Sequence, residues 1–333
     1  MMPALLKNRD VLLALIVATL VLLVGLRAPV FLTAESLISV LTDTSFLFML
    51  ALAQMAVILT RGIDLSVAAN LALSGVMVTL AARSMPWLPI PVVLLLAIAI
   101  GAFFGAINGA LIAGIGIPPI VVTLGTLSIY RGIIFVVAGP TWLTSKDMST
   151  AFLDFPKSTL LGVPSLIVIA ATVAAAFAYL LSQTQTGRGI YAVGGNPVAA
   201  RYCGIDLSKQ QFLVYTMSGA VSGLCGFLWA SRYGIAYTDL AYGYELTVIA
   251  ACVIGGVSVA GGIGTVRGAL LGALFLGVVV NALPVINVSP FWQMLISGAV
   301  ILAAVVVNAR AERRSGKLIL PEARRAAAGG SAV

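Results

Sequence analysis

The side chains that could do chemistry in this chain are sparse and mostly neutral. There is no histidine, and the three cysteines, Cys203, Cys225 and Cys252, show no Cys-x-x-Cys spacing. That removes the commonest general base and metal ligand and leaves no basis for a zinc site or a disulfide framework. The stretch GYELTVIAACVIGGVSVAGGIGTVRG (243–268) is rich in glycine, yet no Gly-x-x-x-x-Gly-Lys-Ser/Thr occurs anywhere in the chain. Any ATP chemistry must therefore lie on another polypeptide. What remains is a set of amides and hydroxyls set in apolar sequence: Gln54, Asn70, Asn108, Thr123, Thr126, Asn281 and Gln293. Such groups either exchange hydrogen bonds with a neutral polar solute or bond one helix to the next. Permanent charges are too few for an acidic ion relay, Asp43 being the main exception. The expectation is a protein with no cofactor, no metal and no covalent catalysis of its own.

Three motifs concentrate the remaining polar residues. LTRGIDLSVAAN (59–70) gathers Arg61, Asp64, Ser66 and Asn70 where one apolar run meets the next. Gly62 permits an unusual turn there, and Asp64 and Ser66 can cap the following helix by accepting from its free N–H groups. The junction is either a capped hinge at a membrane face or a gate beside a cavity. Arg131, in TLGTLSIYRG (123–132), snorkels to the outer surface, pairs with an acid such as Asp43, or faces a pathway. Glu245 opens a later run, where negative charge suits a helix N-terminus. The third motif is GRGIYAVGGNPVAARYCGID (187–206). After Gly195, Asn196 is a good N-cap and Pro197 fits the first helical position. Ala199, Ala200 and Arg201 continue a turn or two, and Gly204 ends them. A short helix with small side chains is either a peg for a partner's groove or an interfacial segment with no partner.

The scaffold that must position these residues is a membrane one. The chain is 61% hydrophobic and 9% charged with a mean hydropathy of +1.11, whereas soluble domains carry roughly 25% charge. Apolar runs suitable for spans lie near 11–29, 44–60, 66–83, 90–113, 119–138, 164–182, 211–231, 245–260, 268–284 and 291–308. Each approaches the ~20 residues that cross ~30 Å of hydrocarbon. The first follows Lys7 and Arg9, is long for a leader's apolar core, and reads as an uncleaved helix. With the N-terminus inside, thirteen Lys and Arg fall on inner segments and the tail against five outside, so both termini are expected in the cytoplasm. The net charge of +8 is thus topological, with no basic stripe for nucleic acid. Residues 1–310 read as one transmembrane domain and 311–333 as a basic, partly disordered cytoplasmic tail. Segment 139–163 forms a short outer element. GAFFGAIN (101–108) and GALLGALF (268–275) match in spans of opposite direction, which suggests two inverted five-helix halves.

Taken together, GIDLSVA (62–68), IPPIVVTLGTLSIYRG (117–132), GRGIYAVGGNPVAARYCGI (187–205) and GYELTVIAACVIGGVSVAGG (243–262) resemble the permease subunits of bacterial ABC importers for monosaccharides. That is the ribose, xylose, rhamnose and autoinducer-2 group, and the resemblance runs through essentially the whole chain. It implies an all-α, vitamin-B12-importer-like permease fold in the bacterial inner membrane. It also implies a second permease subunit, a cytoplasmic tandem ATPase and a periplasmic sugar-binding protein. By that resemblance the segment at about 187–208 carries the coupling helix that docks on the ATPase. LTRGIDLSVAANLALSG, ALPVINVSP and the Tyr-Arg-Gly of span five look most like rhamnose permeases, with autoinducer-2 permeases second. Departures are small: Asn70, Thr247 and Ile263 stand where relatives often have other residues. The expected function is passage of a monosaccharide, L-rhamnose by motif, with autoinducer-2 or a pentose as the alternative. An ion-coupled secondary transporter and a polytopic membrane enzyme are the rival classes.

Overall fold

The computed structural model describes residues 9–139 and 142–286, with a few isolated positions between 288 and 302. Among the described residues, eight helices are long and apolar enough to cross a bilayer. They are α1 (Arg9–Arg27), α2 (Ala34–Leu59), α3 (Val67–Ser84), α4 (Ile90–Ile115), α5 (Pro119–Ala138), α7 (Ser165–Gln183), α10 (Leu207–Tyr233) and α12 (Val266–Val285). Between them lie the shorter α6 (Thr150–Asp154), α8 (Gln185–Gly195), α9 (Pro197–Tyr202) and α11 (Tyr244–Ile254). Apart from those isolated positions the last expected span, 291–308, lies outside the described residues, as do the tail 311–333, Gln293 and Pro140.

Local chemistry sets the helix ends. Thr33, Asp206 and Thr265 cap α2, α10 and α12, each side chain accepting from a backbone N–H three residues on. Left-handed Gly116 and Gly234 terminate α4 and α10. The caps explain why α2 starts at Ala34 rather than near 44: Thr33 begins the helix, and Glu35 and Asp43 ride inside it. The buried pillars are α2, α3 and α10, while α1, α4, α5 and α7 form an outer ring with broad apolar faces exposed. On α4, Gly101 and Gly105 lie directly against Gly219 and Gly223 of α10, with no room for a Cβ between the backbones. The matching glycines of α12, Gly268 and Gly272, lie instead against Ala251 and Gly255 of α11.

The eighth expected span is corrected. α11 has 11 residues, about 16 Å of helix against ~30 Å of hydrocarbon. Cys252 Sγ donates to Ala51 O at 3.1 Å, and Gly262 N–H donates to Leu59 O at 3.0 Å. The chain thus runs alongside α2 as a short helix followed by irregular backbone, with Gly256, Gly261 and Gly262 at positive φ. Ser258 N–H donates to Ile263 O at 2.9 Å and Gly261 N–H to Ser258 O at 3.0 Å, so the irregular backbone closes partly on itself. Hydropathy does not register glycines that end a helix.

The described residues of segment 139–163 fold into short strands and helices. Strand β1 (Leu143–Thr144) pairs antiparallel with β4 (Ile235–Ala236), and β2 (Thr159–Leu160) with β3 (Val163–Pro164). Phe152 of α6 packs edge-on to Phe227 of α10, 5.0 Å between centroids. Thr150 is exposed here, while native Cys203 is exposed beside α9 at the other end of the bundle and Cys225 and Cys252 are buried. Thr150→Cys in a Cys203→Ser background is therefore expected to react with an impermeant maleimide in intact cells. Cys203 in the unmodified chain should react only after lysis, and labelling of both from outside would exclude the even-span topology.

Candidate functional site

At the end of the bundle that carries α8 and α9, three segments lock together. Asn196 ends α8 and caps α9, its Oδ1 accepting from Val198 N–H at 3.1 Å and Ala199 N–H at 3.0 Å. Gly204, at φ +77°, follows α9. Arg61 takes the left-handed conformation, φ +66°. Its Nε donates to Gly194 O at 2.7 Å and its Nη2 to Gly195 O at 3.0 Å. Tyr191 OH donates to Gly264 O at 2.9 Å. Gly194 sits against the Leu59 carbonyl and the Gly262 amide so closely that a Cβ would overlap both. The expected unusual turn is present, but Arg61 carries it and not Gly62. Gly62 is needed for room, because a Cβ there would meet the Tyr215 hydroxyl.

One turn deeper lies a buried polar knot. Asp64 Oδ1 accepts from Ser66 N–H at 2.9 Å and Ser66 Oγ at 2.7 Å, and Oδ2 accepts from Ser218 Oγ at 2.8 Å. Asn108 Nδ2 donates to Ser66 Oγ at 2.8 Å. Tyr130 OH donates to Phe104 O at 2.7 Å, and Thr123 Oγ1 to Ile63 O at 3.2 Å. With its amide turned to satisfy both groups, Gln54 donates to Asp64 O at 3.2 Å and accepts from Asp64 N–H at 3.1 Å. Asn70 Nδ2 donates to Gly101 O at 3.0 Å. The knot joins α2, α3, α4, α5 and α10. Neither expected cap of α3 is made: Ser66 holds the N-cap position but its hydroxyl donates to Asp64, and Asp64 accepts from Ser66 N–H, closing a turn just ahead of the helix. Burial pushes the Asp64 carboxyl above the ordinary carboxylate range, with the hydrogen bonds from Ser66 and Ser218 pulling the other way.

At the opposite end of the bundle, Arg131 donates to the carbonyls of Thr238 and Leu240, the latter at 2.9 Å, and lies 5.7 Å from the Tyr242 ring centroid. It pins segment 234–243 to α5. The expected alternative of pairing with Asp43 is overturned: Asp43 pairs with Arg232 at 3.3 Å. Glu245 does occupy the first turn of α11 and contributes to the negative field around Arg131. Asn281 Nδ2 donates to Gly277 O at 2.9 Å within α12.

With this geometry in hand, the comparison with known proteins is direct. Residues 36–305 match the family described as branched-chain amino acid transport system, permease component. The chain belongs to this permease family. It is 37% identical to the autoinducer 2 import system permease protein LsrC of Enterobacter sp. (strain 638), over 93% of this chain and 89% of that one. It is 35% identical to the galactose/methyl galactoside import permease protein MglC of Escherichia coli (strain K12), over 88% and 92%. It is 37% identical to the ribose import permease protein RbsC of Haemophilus influenzae, over 87% and 90%. No solved structure matches the chain significantly.

In this permease most of the residues expected to face a pathway are interior. Asp64, Ser66, Asn70, Asn108, Thr123 and Thr126 are all buried within the subunit. On α9, Ala200 is buried, 4% exposed, and so cannot meet a partner. The exposed face is Val198, Ala199, Arg201 and Tyr202, with Val198 65% and Tyr202 89% exposed. Sequence reasoning chose small side chains and passed over this pair. Their i, i+4 spacing places them on one face and could have revealed it.

Proposed function

We propose that this permease is the membrane-spanning subunit of an ATP-driven importer for a monosaccharide-class solute. The observation that supports this most is the exposed Val198–Tyr202 face of α9, held rigidly above the bundle by Arg61 and the glycine contacts. A surface of one exposed aromatic, one aliphatic and one arginine suits a partner groove, and a cytoplasmic tandem ATPase is the partner proposed. A periplasmic sugar-binding protein docks on the outer element and segment 232–244. A second permease subunit, identical or paralogous, completes the pathway, and both termini face the cytoplasm of a bacterial inner membrane. The ten-span, vitamin-B12-importer-like plan of two inverted halves is supported by reciprocal packing, α4 on α10 and α12 on α2. L-Rhamnose remains the solute suggested by the motifs. The relatives named as autoinducer 2, galactose/methyl galactoside and ribose permeases support a solute of this class.

Proteoliposomes holding the permease, ATPase and binding protein test the proposal. Labelled L-rhamnose, D-ribose or D-galactose should enter only with ATP, and uptake driven by an ion gradient with no ATPase present would defeat it. Ala199→Trp should weaken ATPase co-purification while leaving the melting temperature intact. Ala200→Trp should instead destabilise the subunit by roughly 1–3 kcal/mol through overpacking. Normal ATPase binding in Ala199→Trp would remove α9 as the docking element.

A further inference from the structure

We infer that the subunit itself holds a solute subsite in its outer half, a cavity of about 190 Å³ among α2, α10, α11 and α12. The inference rests on the monosaccharide reading above. Asp43, Thr44, Trp229, Tyr233, Tyr244 and Asn281 line the cavity. Thr44 is 2% exposed and its hydroxyl has no hydrogen-bond partner among the described residues. A buried hydroxyl left unmet is costly; it lies against Gly277, and a turn about the Thr44 Cα–Cβ bond would bring it to a solute hydroxyl. Trp229 lies 5.4 Å from Tyr233 and 5.3 Å from Tyr244 between ring centroids, forming an aromatic cluster against which the C–H face of a sugar ring can lie. Asp43, held by Arg232 at 3.3 Å, presents a carboxylate for charge-assisted bonds to hydroxyls. Asn281 is oriented by its bond to Gly277 O at 2.9 Å. Convergent polar groups around an aromatic wall are the chemistry of a polyhydroxylated ring. The cavity holds about six waters' share of liquid volume, which suits one ring and not two. A crevice of about 370 Å³ between α2, α7 and α12 is walled by leucine, alanine, isoleucine and phenylalanine, with Ser45 its one polar residue among the described lining, and offers a sugar little.

The test uses the full chain in lipid nanodiscs with Trp87→Phe, Trp142→Phe and Trp292→Phe, which leaves Trp229 as the sole indole of the four. L-Rhamnose, D-ribose and D-galactose are titrated, with sucrose as the two-ring control. The expected result is a saturable change in Trp229 emission with at least one monosaccharide and none with sucrose. Thr44→Val should weaken that response roughly 2- to 10-fold. It should leave the melting temperature unchanged or higher, because the hydroxyl it removes has no protein partner. Asn281→Leu should weaken the response in the same way. Silence of Trp229 toward a sugar that the assembled importer does take up overturns the subsite and leaves the importer standing. A response that survives both substitutions also overturns it, since the sugar then binds elsewhere. If the assembled importer takes up none of the three, the transport reading falls and the subsite with it.

Discussion

Gly194→Ala is expected to abolish uptake, whereas Gly195→Ala, one residue on, leaves it near the unmodified level. The two glycines differ only in what surrounds them. A Cβ at Gly194 would overlap the Leu59 carbonyl and the Gly262 amide, both backbone, while a Cβ at Gly195 meets nothing within 4 Å. Backbone cannot swing aside as a flexible side chain does, so the misfit reaches the upper end of the ~1–3 kcal/mol overpacking range. About 1.4 kcal/mol already costs tenfold in a rate or an equilibrium. The strain falls on the contact that joins α8 to the end of α2, where Arg61 also grips Gly194 O and Gly195 O. Arg61→Ala and Arg61→Lys should then behave alike, since an ammonium cannot reproduce the fork from Nε and Nη2. Both should keep the ATPase bound and hydrolysing while sugar uptake falls, because α9 remains capped by Asn196. Uptake and ATP hydrolysis measured on the same proteoliposomes decide it. Equal loss in both glycine variants, or parallel loss of hydrolysis and uptake in the arginine variants, would reduce the clamp to ordinary loop packing.

How much of this was legible in the sequence depends on the range of each interaction. Long apolar runs such as 90–113 and 119–138 identify α4 and α5 almost to the residue, because crossing a bilayer requires every backbone group to bond within its own segment. The cap and stop of α9 were equally visible in Asn196, Pro197 and Gly204. α11 was not, because glycine counts as mildly apolar in a hydropathy window yet ends the helix after Ile254. Partners far apart in sequence were hidden as well. Nothing local says that Asp43 meets Arg232, 189 residues on, or that Asp64 meets Ser218, 154 residues on. The burial of Ala200 was hidden for the same reason: an isolated capped helix shows no inner side until the bundle beneath it is known.

Asp64→Ala is expected to destabilise the subunit by several kcal/mol, and Asp64→Asn by little. The side chain is 2% exposed and takes three hydrogen bonds, two from Ser66 and one from Ser218. Alanine leaves those donors facing a small void, and each unmet buried group costs ~1–3 kcal/mol. Asparagine keeps an acceptor for Ser66 N–H, and the Ser218 hydroxyl can rotate to accept from the new amide. Charge favours the same ranking. Burial raises the folded-state pKa of Asp64 above the ordinary aspartate value, so the folded protein holds the proton more tightly than the unfolded chain. Stability from this group is then fully present below the unfolded pKa and declines as pH rises through the folded one. Asparagine resembles the protonated acid and removes that decline. Melting temperatures of the purified subunit measured from pH 4 upward should therefore fall for the unmodified chain relative to Asp64→Asn, with the gap growing toward the folded pKa. Parallel curves would mean that Asp64 does not titrate differently on folding. An Asp64→Ala variant as stable as the unmodified chain would mean that the knot does not hold α3, α4 and α10 together. Ser218→Ala supplies the intermediate case, since it withdraws one donor and leaves the Ser66 pair in place, and its loss should be about that of a single hydrogen bond to a charged or partly charged acceptor, ~1.5–3 kcal/mol.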